Sequence, residues 1–234
     1  MNENSIYGST ELESCVRTYM NLTQKIKYSN HINWMGIQAM QYPEDMFAIQ
    51  EIIWHTKPDC IIATGVGKGG TLLYLSSIMQ YYNENPLIIG IDPYVTEKTK
   101  SVIVTHPAGK GISIINKSST DKETVAIVKN MISQKQRTNV LVYLDAMHET
   151  NFVTTEMNLW SDLVSVDQYL IVGWTVIGES DAEIYFDRAW GKGSNPLIAV
   201  NYFLNNNNHF NADLELEKKY LAMTTGKGFL KRVS

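Results

Sequence analysis

The chain has 234 residues, a formal net charge of −4 and 44% hydrophobic residues. That length suits one large folded domain, and the composition excludes a disordered or fibrous chain. The acidic balance argues against nucleic-acid binding, for which a basic surface is typical. No apolar run approaches the roughly 20 residues that span a bilayer, and the polar start lacks the apolar core of a signal peptide. We therefore expect a cytoplasmic protein that binds neither membranes nor nucleic acids.

The N-terminal part of the chain is polar with scattered apolar positions. Residues 1–30 predict one amphipathic helix, which we interpret as an extension of a main domain over residues 31–234. Residues 33–43 are turn-like. Pro43 then fits the first turn of a helix that ends near Trp54, because proline in that position sacrifices no helical hydrogen bond.

The middle of the chain alternates between apolar runs and helical periodicity. Buried strands are predicted at residues 59–64, 87–92, 111–115, 139–145 and 168–174. Amphipathic helices are predicted at residues 72–82, 121–133 and 149–163. Cys60 lies in the first apolar run and is interpreted as a small buried hydrophobic residue. Such alternation predicts a doubly wound α/β fold, in which helices cover both faces of a mostly parallel sheet.

The C-terminal part continues this fold. Residues 176–194 lack periodicity, and a loop of that length inside a compact domain is often a lid or a binding element. Asn195 and Pro196 open a helix that runs through Leu204. Residues 219–224 and 229–233 then predict an antiparallel hairpin, which would bring the sheet to seven strands.

A glycine-rich loop is the strongest functional signal. Gly65, Gly67, Gly69 and Gly70 follow a predicted strand and open a helix. This context is typical of a loop that cradles a small ligand, because glycines allow the ligand to approach backbone N–H groups. The spacing differs from the dinucleotide motif, and the Lys-Ser/Thr pair of a phosphate-binding P-loop is absent. The alternative is a tight strand-to-helix turn without a ligand.

An acidic residue follows the next strand. Asp92 lies about 27 residues after Gly65, where doubly wound folds place an acid that binds ribose hydroxyls. A carboxylate suits a cis-diol because it accepts two hydrogen bonds. The glycines and Asp92 together favour a nucleoside-containing ligand. The alternative role for Asp92 is a cap at the strand end.

Two further polar residues follow the fourth strand. Asp145 offers the hard oxygen ligands that a divalent cation prefers, and a neutral His148 could accept a proton from a substrate hydroxyl near pH 7. The alternative is that both residues cap the next helix.

Segments along residues 30–234 resemble one known family. They are Trp34-Met35-Gly36 with residues 41–45 (QYPED), residues 57–59 (KPD) with 61–71 (IIATGVGKGGT), Ile91-Asp92, residues 117–119 (KSS), 144–148 (LDAMH), 168–178 (QYLIVGWTVIG), 195–200 (NPLIAV) and 226–233 (GKGFLKRV). The chain resembles the cephalosporin-hydroxylase-like family, which also contains rhamnosyl O-methyltransferases. The resemblance implies the class I S-adenosylmethionine-dependent methyltransferase fold, which is Rossmann-like.

The resemblance also implies site residues. It places the cofactor on Thr64, Gly65, Gly67, Gly69 and Gly70, with Asp92 on the ribose and Ser118 and Ser119 near the adenine. It places magnesium on Asp145 and on two consecutive residues at the end of the fifth strand. We expect His148 to act as the base, with Asp145 as an orienting acid or residual metal ligand. A homo-oligomer is left open.

Several positions depart from the family pattern. Ala63 replaces an acid, Ala146 replaces a small polar residue, and Gly173-Trp174 stands where a Glu-Asp or Gly-Asp pair is expected. Replacing a carboxylate by an indole removes an anionic ligand and adds bulk. We therefore expect weak or absent magnesium binding, whether these residues arose naturally or by design.

Three functions fit these residues to different degrees. The leading hypothesis is an O-methyltransferase acting on a sugar or polyketide-like hydroxyl. The second is a protein of this fold that binds the cofactor without turnover, which the missing acids favour. The third, an NAD-linked oxidoreductase, fits the glycine spacing less well.

Overall fold

A computed structural model describes residues 10–234. Its α-helices are α1 Thr10–Lys25, α2 Pro43–Thr56, α3 Gly70–Met79, α4 Glu97–Thr105, α5 Lys122–Gln134, α6 Thr150–Trp160, α7 Pro196–Asn206 and α8 Leu214–Lys219. Its strands are β1 Asn33–Trp34, β2 Ile37–Gln38, β3 Cys60–Thr64, β4 Leu87–Ile91, β5 Ile112–Ile115, β6 Val140–Leu144, β7 Tyr169–Val172, β8 Phe210–Ala212 and β9 Phe229–Arg232.

Seven of these strands form one sheet in the order β5-β4-β3-β6-β7-β9-β8. The first five in this order are parallel, whereas β9 pairs antiparallel with both β7 and β8. The doubly wound, mostly parallel seven-stranded fold is thus confirmed. Thr64 pairs with Ile91 on one side and Leu144 on the other. The residues that follow β3, β4 and β6 therefore emerge at the same edge of the sheet, beside the point where the strand order reverses.

The sheet is buried on both faces. Ile61 and Ala63 pack with α2 and α3 on one face, whereas Cys60 and Ile62 pack with α5, α6 and α7 on the other. Because successive strand residues point to opposite faces, both sets are apolar and the strand is a continuous hydrophobic run. Cys60 is fully buried, as predicted.

The C-terminal antiparallel hairpin is present, but its first arm is not the predicted one. The partner of β9 is β8 at Phe210–Ala212, so the prediction of a strand over residues 219–224 is wrong. Lys219 ends α8, and the backbone N–H groups of Thr224 and Thr225 donate to the carboxyl of Asp45, each at 2.8 Å. Those donors bind a side chain of α2 and are not available to a neighbouring strand.

Two helices were not predicted. In α4 the Thr96 hydroxyl accepts a hydrogen bond from Thr99 N–H, and in α8 the Asp213 carboxyl accepts one from Leu216 N–H. These are N-cap contacts, so their signal was present in the sequence. The helix predicted over residues 149–163 ends at Trp160 and continues as a short 3-10 helix, Ser161–Leu163.

The N-terminal helix packs against the main body of the protein. Tyr42 donates its hydroxyl proton to Thr23 at 2.9 Å, and Met20 of α1 is buried in a small cluster with Tyr42 and Ala222. The predicted helix also covered residues 1–9, which lie outside the described residues. The division at residue 30 stays a prediction. No helix within residues 10–234 is both long and apolar enough to cross a membrane.

Candidate functional site

The glycine loop, residues 65–70, joins β3 to α3 at the carboxyl edge of the sheet. Gly67 has a φ of +53°, and a Cβ added there would meet only the Met40 sulfur, at 3.6 Å. This is a backbone conformation that favours glycine, with open space in front of it. Gly67 is therefore the position of the loop at which a ligand can approach the backbone.

The other glycines of the loop are needed for packing inside the protein. A Cβ on Gly65 would lie 2.3 Å from the Asp145 carbonyl oxygen. A Cβ on Gly69 would lie 2.7 Å from Ile103, and one on Gly70 would lie 2.3 Å from the Gln38 carbonyl oxygen. Their predicted role toward the cofactor stays a prediction. The close contact at Gly65 does bring the loop and the end of β6 together.

Asp92 forms a cap on the glycine loop. Its Oδ2 accepts hydrogen bonds from Val66 N–H at 3.0 Å and Gly67 N–H at 3.4 Å, and its Oδ1 accepts one from Tyr94 N–H at 2.8 Å. The strand-end cap considered from the sequence is therefore formed. Because a carboxylate has about four acceptor positions, one remains for a ligand hydroxyl.

Three further residues predicted to contact the cofactor lie at this edge of the sheet, namely Thr64, Ser118 and Ser119. The buried Thr64 hydroxyl accepts a hydrogen bond from Asp145 N–H at 3.2 Å, and the Ser118 hydroxyl pairs with that of Thr120. Ser119 is buried, and its carbonyl accepts a hydrogen bond from Trp160 Nε1–H at 2.8 Å. These contacts fix the backbone beside the loop. The predicted contacts of Ser118 and Ser119 with the adenine stay a prediction.

A buried carboxyl group lies beneath the same edge. Glu156 of α6 is fully buried, and neither of its oxygens has a hydrogen-bond partner of normal geometry. Burial raises the pKa of Glu156 to about 7, and the nearby Ser119 and Thr64 hydroxyls oppose that rise. The sequence offers no signal for this residue beyond one acid among the apolar positions of a helix.

Asp145 lies directly after β6. Its Oδ2 accepts hydrogen bonds from Gln41 Nε2–H at 2.7 Å and from the Tyr143 hydroxyl at 3.3 Å. Gln41 Oε1 and Asp145 Oδ1 are both buried without a hydrogen-bond partner of normal geometry. Burial raises the pKa of Asp145 to about 7, against the effect of these hydrogen bonds. Two acceptor atoms are thus left without partners around one carboxyl group.

His148 is enclosed by two indole rings. Its ring centroid lies 5.6 Å from that of Trp174 and 5.1 Å from that of Trp190. Desolvation lowers the pKa of His148 to about 4, so the imidazole is neutral at pH 7. Within the part of the chain that the structure describes, no hydrogen bond joins His148 to Asp145. An orienting role for Asp145 therefore concerns the substrate and not the imidazole.

The residues present do not fit a magnesium ion. Gly173 and Trp174 follow β7, which pairs with β6, so both residues leave the sheet near Asp145. Neither residue has a side-chain oxygen. No group of three or more His, Cys, Asp or Glu residues among positions 10–234 is arranged to hold a metal. Magnesium requires several oxygen ligands in near-octahedral geometry.

The segment after β7 is anchored to α1 as well as to the site. It contains two 3-10 helices, Thr175–Gly178 and Ala182–Tyr185. Ser180 donates its hydroxyl proton to Gln24 Oε1 at 3.0 Å, and Tyr185 also donates to that oxygen. The segment places Trp190 beside His148, and Trp190 Nε1–H is buried without a partner. This unpaired donor is consistent with a binding element.

A cavity of about 650 Å³ lies elsewhere, between α1 and the C-terminal loop. Met20 and Val176 line it, and both pack in the same apolar cluster as Trp174. No residue of the glycine loop and neither Asp145 nor His148 lines this cavity. The cavity therefore lies apart from the site described above.

The sequence motifs do not assign a role to four residues that the structure brings to the site: Gln41, Tyr143, Glu156 and Trp190. Gln41 belongs to the QYPED segment that carried the resemblance, so a signal existed for it. Tyr143 and Glu156 sit at strand and helix positions where burial is ordinary. Only the pairing of β3 with β6 and the packing of α6 bring them to the carboxyl edge.

Comparison with known proteins gives a consistent result. A family model described as Rhamnosyl O-methyltransferase/CmcI matches residues 26–233. A relative named Rhamnosyl O-methyltransferase from Mycobacterium tuberculosis is 26% identical over 204 residues, which cover 85% of this chain and 77% of the relative. A protein of the same name from Mycobacterium leprae is 25% identical over 143 residues, covering 61% of this chain and 60% of that protein.

Solved structures share the fold. A structure of CmcI with SAH has a TM-score of 0.59 at 16% identity, covering 87% of this chain and 83% of that chain. A structure of CmcI with Mg and SAM has a TM-score of 0.57 at 15% identity, covering 88% and 78%. An O-methyltransferase from Bacillus cereus in complex with SAH has a TM-score of 0.53 at 10% identity, covering 88% and 84%. With the family match spanning most of its length, the chain belongs to the Rhamnosyl O-methyltransferase/CmcI family.

Proposed function

We propose that this protein is an S-adenosylmethionine-dependent O-methyltransferase that acts on a hydroxyl group of a sugar or sugar-bearing natural product. One observation carries the proposal. The pairing of Thr64 with Leu144 brings the open position of the glycine loop, Gly67, to the same edge as the Asp145 carboxyl. A methyl transferase needs its donor site and a polar acceptor site adjacent to each other, because positioning supplies much of the rate.

The loop fits the proposed cofactor. The backbone at Gly67 is open, and Asp92 holds the loop while keeping one acceptor position for a ribose hydroxyl. We propose that Gly65, Gly69 and Gly70 shape this loop, and that Thr64, Ser118 and Ser119 support the adenosyl end. S-adenosylmethionine, when bound, would supply a methyl group by breaking the bond from that carbon to its sulfonium sulfur, and would leave as S-adenosylhomocysteine.

The acceptor hydroxyl must lose a proton as its oxygen forms the bond to the methyl carbon. We propose that the neutral imidazole of His148 receives that proton and that Asp145 Oδ1, which lacks a partner, accepts a hydrogen bond that orients the acceptor. The indoles of Trp174 and Trp190 pack against the imidazole. No step of this proposal uses a metal ion.

The acceptor class rests on the family and on the site. The relatives are named for rhamnosyl O-methylation, and the site combines aromatic rings with unpartnered polar atoms of both kinds: the Trp190 N–H donor and the Gln41 and Asp145 acceptors. Such a combination suits a polyhydroxylated ligand, which presents apolar faces and several hydroxyl groups.

A second candidate is a protein that binds the cofactor without turnover. The lack of side-chain oxygens at Gly173 and Trp174 favours it. We also propose that the protein is cytoplasmic and that the extension ends near residue 30. The start of the family match at residue 26 supports that boundary.

The first test is calorimetric titration with S-adenosylhomocysteine. Gly67→Ala should weaken binding at least about tenfold, since a methyl group would enter the ligand's space. Gly36→Ala is the matched control, because Gly36 also has a positive φ of +87° and open surroundings. Equal affinity of both variants would contradict the assignment of the loop.

Turnover is tested by transfer of labelled methyl from S-adenosylmethionine to a panel of rhamnosides and other glycosides. Transfer to any sugar hydroxyl supports the leading proposal. Tight cofactor binding without transfer to any member of the panel favours the second candidate.

A further inference from the structure

The surroundings of Asp145 contain an indole where the family pattern has carboxylates. Val172 of β7 pairs with Leu144 of β6, so Gly173 and Trp174 leave the sheet next to Asp145. The Trp174 side chain opposes the rise in the pKa of the Asp145 carboxyl. An indole thus follows the strand beside this carboxyl, where the family pattern has an oxygen ligand.

Gly173 leaves little room for a side chain beside Asp145. A Cβ on this buried residue would lie 2.9 Å from Asp145 Oδ1 and 3.3 Å from the Leu144 carbonyl oxygen. A side chain at position 173 would therefore crowd Oδ1 unless the Asp145 side chain turned aside.

Trp174 is held in this position against its backbone preference. Its φ of 59° and ψ of 29° are left-handed, which is an outlier for a bulky residue. Such a conformation persists only where the surroundings fix it. Here the indole lies edge-on to Tyr42, with ring centroids 6.4 Å apart, and packs beside Met20 of α1. Its other neighbour is the imidazole of His148.

We infer that the Trp174 side chain permanently closes the cation position beside Asp145, so that this chain binds no divalent metal there and its proposed methyl transfer is metal-independent. The second half of this inference rests on the proposed function. The first half concerns binding alone and is testable without any substrate.

The test is binding of Mn²⁺, an EPR-visible substitute for magnesium, to the full chain saturated with S-adenosylhomocysteine. The unmodified protein should show no saturable binding up to about 1 mM, the weak end of protein sites for divalent cations. Trp174→Asp should bind Mn²⁺ at least about tenfold more tightly, because it removes the bulk and adds an oxygen ligand. Asp and Asn also tolerate left-handed backbone, so Trp174→Asn is the second variant if the first fails to fold.

Trp190→Asp is the matched control. It also replaces an indole beside His148 by a carboxylate, but it lies on the segment after β7 and not beside the end of β6. It should gain no Mn²⁺ binding. An equal gain in both variants would show that added charge, and not the opened position, recruits the ion, and would overturn the inference.

Two other results would overturn it. One is binding of Mn²⁺ by the unmodified chain with a Kd below about 1 mM, if Asp145→Asn abolishes that binding. The other is a folded Trp174→Asp or Trp174→Asn variant with no gain. Failure to bind S-adenosylhomocysteine would instead contradict the proposed function, and Mn²⁺ binding to the ligand-free chain would still decide the metal question. Where transfer is found, it should persist in EDTA; loss of transfer in EDTA with recovery on adding magnesium would overturn metal independence.

Discussion

The imidazole of His148 lies against the indole of Trp174, with ring centroids 5.6 Å apart and planes tilted by 40°. Trp190 approaches the same imidazole edge-on, at 5.1 Å and 86°. Desolvation by burial lowers the pKa of His148 from 6.5 to about 4, so the imidazole is neutral at physiological pH. A group that receives a proton must be neutral beforehand, and the imidazole packed against these two indoles meets that condition.

His148→Gln should reduce the rate of methyl transfer about 100-fold or more, because the proposed proton acceptor is lost. Affinity for S-adenosylhomocysteine should stay within about twofold, since within residues 10–234 no hydrogen bond or ring contact joins His148 to the glycine loop. His55→Gln, on the exposed face of α2, is the control. Steady-state kinetics and calorimetry together check this. An unchanged rate in His148→Gln would remove His148 from the mechanism.

Asp92 should serve both as a loop cap and as a ribose ligand. The cap alone predicts that Asp92→Ala lowers stability, because three backbone N–H groups lose their acceptor. Ribose binding adds that the unmodified protein binds S-adenosylhomocysteine about tenfold more tightly than its 2′-deoxy analogue. Asp92→Ala should bind the two ligands equally. If the variant keeps the full preference, the 2′-hydroxyl is bound elsewhere and Asp92 is only a cap.

Asp45 should be a major determinant of stability. Its buried carboxyl accepts hydrogen bonds from Thr224 N–H, the Thr224 hydroxyl and Thr225 N–H, all at 2.8 Å. Asp45→Ala leaves these donors unsatisfied and should lower the free energy of unfolding by about 3 kcal/mol. The corresponding fall in Tm is about 6–12 °C. Glu44→Ala, in the same helical turn, is the control. Equal effects of the two substitutions would show that the contact with the C-terminal loop contributes little.

Glu156 should make stability depend on pH. Its pKa is about 7 in the folded chain, against an ordinary value of 4.5, so the folded state holds the proton more tightly. Stability from this group is complete below pH 4.5 and is lost as pH rises to about 7, by about 3 kcal/mol. Asp145 is the charged group that adds to the shift, and the Ser119 and Thr64 hydroxyls oppose it.

Glu156→Gln, which mimics the neutral acid, should remove this dependence. The variant should match the unmodified protein near pH 4.5 and exceed its stability at pH 8. Urea unfolding at both pH values measures the difference. Parallel stability profiles for the two proteins would mean that Glu156 is not protonated in the fold at neutral pH.

Much of the fold followed from the sequence because its signals are local. The five parallel strands are continuous apolar runs, and each is long enough to be recognised on its own. Gly65 and Gly67 mark the turn after β3 because positive φ angles favour glycine there. The carboxyl-edge positions of Asp92 and Asp145 then follow from parallel pairing.

The partner of β9 could not be predicted in this way. Residues 219–224 have the composition of a strand, but Asp45, far away in the chain, takes the N–H groups of Thr224 and Thr225. The short β8 at Phe210–Ala212 therefore pairs with β9. The residues that form long-range hydrogen bonds of this kind carry no local sequence signal of them.

The packing of the site side chains and the pKa of His148 were also decided by the tertiary structure. The sequence determined that Trp174 stands where the family pattern has an acid, and that His148 and Asp145 follow one strand. Only the tertiary structure decided that the Trp174 indole packs against His148 and Tyr42, in the apolar cluster that includes Met20 of α1. The pKa of His148 was decided in the same way, because desolvation by neighbours from distant segments, and not the residue type, fixes how readily a side chain holds its proton.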